Sequence, residues 1–246
     1  KWDPFGSAYL SLTSEAFSLA MDCVAAVRDA VGPGVQLLVE GHGRFDVPTA
    51  VRLGHALEKF DITWFEEPLP PGDLDGLAEV KRRINIPVAA GERLYTRWDF
   101  RELLAKRAAD YLQPDLSHTG GILELRKIAA MAECHFLPVC PHNPIGAITN
   151  AATLQIAACT PNFHMLETMS NDVDYRHTLT TETVGFADGM MTIPDRPGLG
   201  IDIVEEALLA HPYQPHNLRH YNGDLTMIRP EGAGGWYGKA DGPAKA

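Results

Sequence analysis

Three glutamates recur at one interval. Glu40, Glu66 and Glu92 stand 26 residues apart (40 to 66, 66 to 92), and each closes a short apolar run: Val35–Val39, Ile62–Phe65 and Pro87–Ala90. An interval of that length holds one strand, one helix and two turns, which is what a parallel strand pair requires of its crossover. A chain that repeats the unit in phase returns a carboxylate to the same height on successive strands. Few architectures do this.

The rhythm extends beyond those units. Amphipathic helical patterns are predicted at Ser14–Ala30, Val47–Lys59, Leu74–Arg83, Arg97–Arg107, Ile122–Glu133 and Ala147–Cys159. Between the later ones lie the strand-type runs Asp110–Leu112, Phe136–Val139 and Phe163–Leu166. Apolar runs without alternation suit parallel strands buried on both faces, so the chain reads as α/β with a parallel sheet. No GxGxxG or Walker-type loop is present, which removes support for an open dinucleotide- or nucleotide-binding sheet. Polar residues instead mark the C-terminal ends of the runs: Glu40 and His42, Glu66, Glu92, Asp115, His142 and Glu167. In a closed barrel those ends converge on one mouth, where active sites are built. The expectation is a TIM-like barrel over residues 1–169. From Ser170 the rhythm stops, and 170–246 is read as a Pro- and Gly-rich segment wrapping the barrel, with a late strand at Leu225–Ile228 and a frayed end at Asp241–Ala246.

Bulk properties narrow the partners. A net charge of −11, from 32 acidic against 21 basic residues, argues against nucleic acid or an anionic membrane surface. No apolar run reaches the roughly 20 residues of a membrane span, and no signal peptide opens the chain. Cys23, Cys134, Cys140 and Cys159 form no CxxC pair and are expected to be reduced, buried thiols of a cytoplasmic protein. Three hard oxygen donors from adjacent strands, with positions left for substrate and water, suit Mg²⁺.

Residues 64–70 read Trp-Phe-Glu-Glu-Pro-Leu-Pro, followed by Ala90-Gly91-Glu92-Arg93, Gln113-Pro114-Asp115 and Gly120-Gly121. This set of spaced motifs, running from Lys1 to about Gly200, resembles the enolase superfamily, mandelate racemase subgroup. The resemblance implies a (β/α)₇β barrel with Mg²⁺ on Glu40, Glu66 and Glu92. Glu40 stands where the family usually has Asp, and Glu67 turns away from the metal. It also implies homo-oligomeric assembly and an N-terminal α+β capping domain. Counting back from Glu40 puts the end of the second barrel strand at Lys1–Asp3, so the capping domain and first strand are expected to be missing from the chain as given.

His142 and Asp115 end adjacent strands, which brings an Asp within hydrogen-bond reach of the imidazole. Such a partner sets the tautomer and steadies the imidazolium after proton capture. By the resemblance this dyad is the general base. His42, two residues past Glu40, should point to the same side as the ligand. It is similar to the second imidazole of the family's acid-sugar dehydratases, galactonate dehydratase among them, which protonates a leaving hydroxyl. Racemases of the subgroup carry Lys-x-Lys at the second strand; here Asp3 replaces the second Lys, which disfavours two-base racemisation. Glu167 resembles the acid that hydrogen-bonds the enediolate and must be protonated to do so. Lys1, Asp3, Arg44, Arg93 and His118 are further candidates for substrate contact. The expected activity is Mg²⁺-dependent dehydration of a small-molecule sugar acid to a 2-keto-3-deoxy acid. A cycloisomerase or epimerase of the same superfamily is the main rival. A barrel hydrolase or aldolase would want a His-rich or lysine-centred site, and a non-catalytic barrel would have lost ligands.

Overall fold

A computed structural model describes residues 1–6, 8–169 and 174–212. The expected strand at Leu225–Ile228 and the frayed end lie outside the described residues. By compactness the chain divides into two units, Lys1–Ala89 with Lys106–Ala109, and Ala90–Ala105 with Asp110–Gln214.

In the first unit α1 (Ser14–Val31) is capped by Thr13, whose hydroxyl accepts from Ala16 N–H, and stops where Gly32 takes φ +71°. β1 (Leu37–Glu40), α2 (Val47–Leu57), β2 (Ile62–Glu66), α3 (Leu74–Arg83) and β3 (Val88–Ala90) follow. Asp46 caps α2 and Asp73 caps α3, each carboxylate accepting from a first-turn N–H. Strands β1 and β2 pair in parallel with Glu40 opposite Glu66, and β2 pairs in parallel with β3. Trp2 makes a parallel bridge to Val39, so the segment at Lys1–Asp3 lies alongside β1 as the counting requires. Phe5, Phe45 and Phe65 form a buried aromatic cluster, Phe5 meeting Phe45 edge-on at 5.1 Å between centroids.

The second unit holds α4 (Thr96–Ala105), β4 (Tyr111–Leu112), α5 (Leu116–Thr119), α6 (Ile122–Cys134) and α7 (Ala147–Ala157). Helix α4 ends two residues short of the expected Arg107, which adopts a left-handed φ of +51°. The runs expected as strands at Phe136–Val139 and Phe163–Leu166 contract to single parallel bridges, Leu112 to Val139 and Val139 to Phe163. Pro138 has no N–H to donate, and Phe136 is spent on the left-handed end of α6. The strand direction nevertheless continues, because Cys140 N–H donates to Leu112 and His164 N–H to Val139. Leu116, Leu125, Ala152 and Ile156 form a core between α5, α6 and α7. Beyond Leu166 come a short 3₁₀ turn (Asp174–Thr178), a hairpin of β5 (Phe186–Ala187) and β6 (Met190–Met191), and α8 (Glu205–Ala210).

The expectation of four buried thiols is corrected. Cys140 is buried and Cys23 half-buried, but Cys134 and Cys159 are exposed. Cys134 is the last residue of α6 and Cys159 lies two residues past the end of α7.

Candidate functional site

The first unit brings Glu40, Glu66 and Glu67 to one end of β1 and β2. All three are buried. Taking a carboxylate out of water costs several kcal/mol, by order of magnitude, unless positive charge compensates it. Here Lys1 supplies that charge. Its ammonium lies 2.7 Å from Glu66 Oε1 and 3.3 Å from Glu40 Oε2. Trp64 Nε1–H donates to Glu66 Oε2 at 3.1 Å, and His42 N–H donates to Glu40 Oε1 at 2.8 Å. Buried, oxygen-only donors already gathered around one cation fit a hard divalent ion such as Mg²⁺. Glu67, which the sequence reading sets aside, also puts a carboxylate oxygen within 4.8 Å of one from Glu40. Nothing in the Glu-Glu-Pro motif signals this, because which of two adjacent side chains turns inward depends on backbone torsions. Glu67 sits at a left-handed φ of +34°.

Gly41 makes the approach of β1 to β2 close enough. A Cβ at this position would stand 2.7 Å from Glu67 O and 3.1 Å from Glu66 O, both backbone atoms that cannot swing aside. Past it, His42 occupies φ +50° and Gly43 +57°, so the chain coils tightly after Glu40. A non-glycine residue in that region costs on the order of 1 kcal/mol or more and persists only when its surroundings hold it. They do: His42 Nδ1 lies 2.7 Å from Asp3 Oδ2, and its backbone N–H is bound to Glu40. Burial on its own would lower the His42 pKa. The Asp3 hydrogen bond, with the charges of Glu40 and Asp3, outweighs burial and raises it above the ordinary value. Arg44 is fully buried and gives its donors to Gly41 O, Gly6 O and Asp3 Oδ2. Lys1, Asp3 and Arg44, all expected as substrate contacts, are thus engaged with protein groups.

The second unit assembles Glu92, Asp115, His118 and His142. Asp115 divides its carboxylate between two tasks. Oδ1 caps α5, accepting from Ser117 N–H at 2.7 Å, while Oδ2 lies 2.7 Å from His142 Nδ1. Burial pushes the Asp115 pKa up, but the His142 hydrogen bond, the charges of His118 and His142, and the Ser117 N–H prevail and hold it below the usual carboxylate value. An ionised carboxylate only accepts, so Nδ1 carries the hydrogen and Nε2 is left to act. That nitrogen is 3.4 Å from Glu92 Oε2. Gly91 permits this at φ +139°, where a Cβ would meet Gln113 N at 3.0 Å. His118 Nδ1 donates to Glu92 O at 2.9 Å, and its ring lies 6.2 Å from that of His142. Arg93 Nε is 4.0 Å from Glu92 Oε1. Glu167 N–H donates to Pro141 O, and Asn143 Nδ2 donates to Glu167 O, which ties the Glu167 backbone to the His142 segment.

Residues 1–207 match the family described as Enolase C-terminal domain-like. The chain belongs to that family. Among curated relatives, the D-gluconate dehydratase of Thermoproteus tenax is 32% identical over 230 residues, covering 93% of this chain and 46% of the relative. The D-galactarolactone cycloisomerase of Agrobacterium fabrum is 38% identical over 193 residues, covering 75% and 51%. Among solved structures, the mandelate racemase/muconate lactonizing enzyme-like protein from Rubrobacter xylanophilus DSM 9941 aligns with a TM-score of 0.79 at 39% identity, covering 84% of this chain and 53% of that one. The chain therefore spans about half the length of the relatives it matches. Membership of the enolase family establishes the TIM-barrel-like fold class expected from the βα rhythm. Among the described residues, no helix is long and apolar enough to cross a membrane.

Proposed function

We propose that the protein is a Mg²⁺-dependent dehydratase of a sugar acid, an aldonate or aldarate, and that Glu40, Glu66 and Glu92 hold the metal. The observation that carries the reading is the His142–Asp115 pair, which leaves Nε2 as a base nitrogen of defined tautomer. The names of relatives such as the D-gluconate dehydratase support the reaction class. A bound Mg²⁺ would neutralise the charge that develops on the substrate carboxylate as its neighbouring proton leaves. His142 takes the C2 proton, and the electron pair of that C–H bond forms the C2–C3 double bond. The C3–O bond breaks, His42 gives its proton to the departing hydroxyl, and water leaves. The resulting enol tautomerises to a 2-keto-3-deoxy acid. Glu167 is assigned to hydrogen-bond the substrate carboxylate region, with Lys1, Arg93 and His118 as substrate contacts. Residues 1–169 are assigned as the catalytic barrel, in a cytoplasmic homo-oligomer; of the segment expected to wrap it, 170–173 and 213–246 lie outside the described residues.

The test is formation of 2-keto acid by the full-length protein with Mg²⁺ from a panel of stereoisomeric aldonates and aldarates. No keto acid from any member would refute the reading. A second reading, cycloisomerisation, is favoured by the 38% identity to the galactarolactone cycloisomerase. Isomerisation followed by NMR in D₂O, without a 3-deoxy product, would identify it.

A further inference from the structure

Asp3 stands where a racemase of the subgroup would carry a basic lysine, yet it does not face outward as a substrate group. Its carboxylate is nearly buried and fully committed. Oδ1 accepts from Phe5 N–H at 2.9 Å, and Oδ2 receives both Arg44 Nη2 and His42 Nδ1, at 2.5 and 2.7 Å. Arg44 cannot rotate away, because Nε and Nη1 are held by the carbonyls of Gly41 and Gly6. The guanidinium is permanently charged and only donates, so the shared oxygen is an acceptor. His42 must then keep a hydrogen on Nδ1, so any second proton the ring takes up, and can give to a leaving group, sits on Nε2. The backbone at His42 is left-handed, a conformation that would relax if the ring lost its anchor.

We propose that Asp3, braced by Arg44, is the positioning residue of His42: a second His–Asp pair that sets which imidazole nitrogen meets the substrate. The sequence change at the second strand is then a conversion of a base position into an orienting one. Its consequence for the reaction rests on the dehydratase reading above, whereas its consequence for the imidazole does not.

The experiment uses the full-length protein with Asp3→Asn, which is close to isosteric and keeps one acceptor oxygen. In ¹⁵N NMR of histidine-labelled protein in alkaline buffer, His42 (assigned with His42→Asn) should show its hydrogen on Nδ1 in the wild type and lose that preference in Asp3→Asn. With a turned-over sugar acid and Mg²⁺ in D₂O, dehydration should fall about 10²-fold or more in the variant, while deuterium exchange at C2 and KM stay within about threefold. A structural role alone would lower exchange and dehydration together. The proposal is overturned by an unchanged tautomer, by dehydration at the wild-type rate, or by equal loss of both activities. If Asp3→Asn does not fold by circular dichroism, Asp3→Glu replaces it. That variant keeps the charge for Arg44 but displaces the carboxylate, and the same split is expected at smaller amplitude. A wild type inert toward every sugar acid sinks the dehydratase reading, and the tautomer then decides this proposal alone.

Discussion

Asp115 holds His142 through one carboxylate oxygen and caps α5 with the other, at 2.7 Å in each case. The imidazole is therefore fixed to a helix start rather than to a mobile loop. Asp115→Asn preserves the cap through its amide oxygen but presents a donor to Nδ1 and favours the wrong tautomer. Turnover is expected to drop about 10²- to 10⁴-fold with the circular dichroism spectrum unchanged. Steady-state kinetics on the best sugar acid from the panel, beside the spectrum, checks it.

The same carboxylate makes stability depend on acid. Folded Asp115 has a depressed pKa, so it binds its proton less readily than in the unfolded chain. Its contribution is present above the unfolded value, about 3.9, and is lost as pH falls through the lower folded value. The stability difference between wild type and Asp115→Asn, from urea unfolding, should shrink as pH is lowered through that window. A difference independent of pH would count against the assignment.

Glu66 and Glu67 make competing claims to the metal. Glu66 shares the Lys1 ammonium with Glu40, whereas Glu67 approaches Glu40 directly. Glu66→Gln is expected to weaken Mg²⁺ binding by more than about 10²-fold and Glu67→Gln by about 10- to 100-fold, the size usual for groups just outside the ligand set. Calorimetric titration measures both. Trp64 donates to Glu66, so its emission should respond to Mg²⁺ in the wild type and cease to do so in Trp64→Phe. The reverse order of affinities transfers the ligand role to Glu67.

Gly41 tests the backbone of the site. Its missing Cβ leaves room for two carbonyls of the β2 end, so Gly41→Ala must spread β1 from β2. A loss of about 1–3 kcal/mol in unfolding free energy is expected, with weaker Mg²⁺ binding. Retained stability and metal affinity together would show that the strands can yield at no cost.

Thiol accessibility is a simple check on the fold. Cys134 and Cys159 should react with a disulfide reagent in the native protein, and Cys140 only after unfolding. Cys23 should react slowly, because burial and then Asp22 raise its pKa and reduce the thiolate fraction.

Much of this molecule was legible in the linear chain, for a physical reason. Parallel strands buried on both faces need continuous apolar runs, and their crossovers need amphipathic helices, so Leu37–Glu40, Ile62–Glu66 and Leu74–Arg83 announce themselves. Equal unit lengths then place Glu40 opposite Glu66 without any knowledge of contacts. The runs at Phe136 and Phe163 pair in parallel as expected but over fewer residues than their apolar content suggests, since Pro138 has no N–H to donate and Phe136 closes α6. What spacing could not decide was where each polar side chain finds its partner. Asp3 and Arg44 are expected as substrate contacts; that Asp3 also meets both His42 and Arg44, across 39 and 41 residues of chain, is not legible in the spacing. Glu67 is expected to turn away from the metal; at φ +34° it has a carboxylate oxygen within 4.8 Å of one from Glu40, a proximity the motif does not encode. Periodicity determines which face a residue occupies; only tertiary packing, through torsions and burial that the local sequence does not encode, decides which charge it meets there.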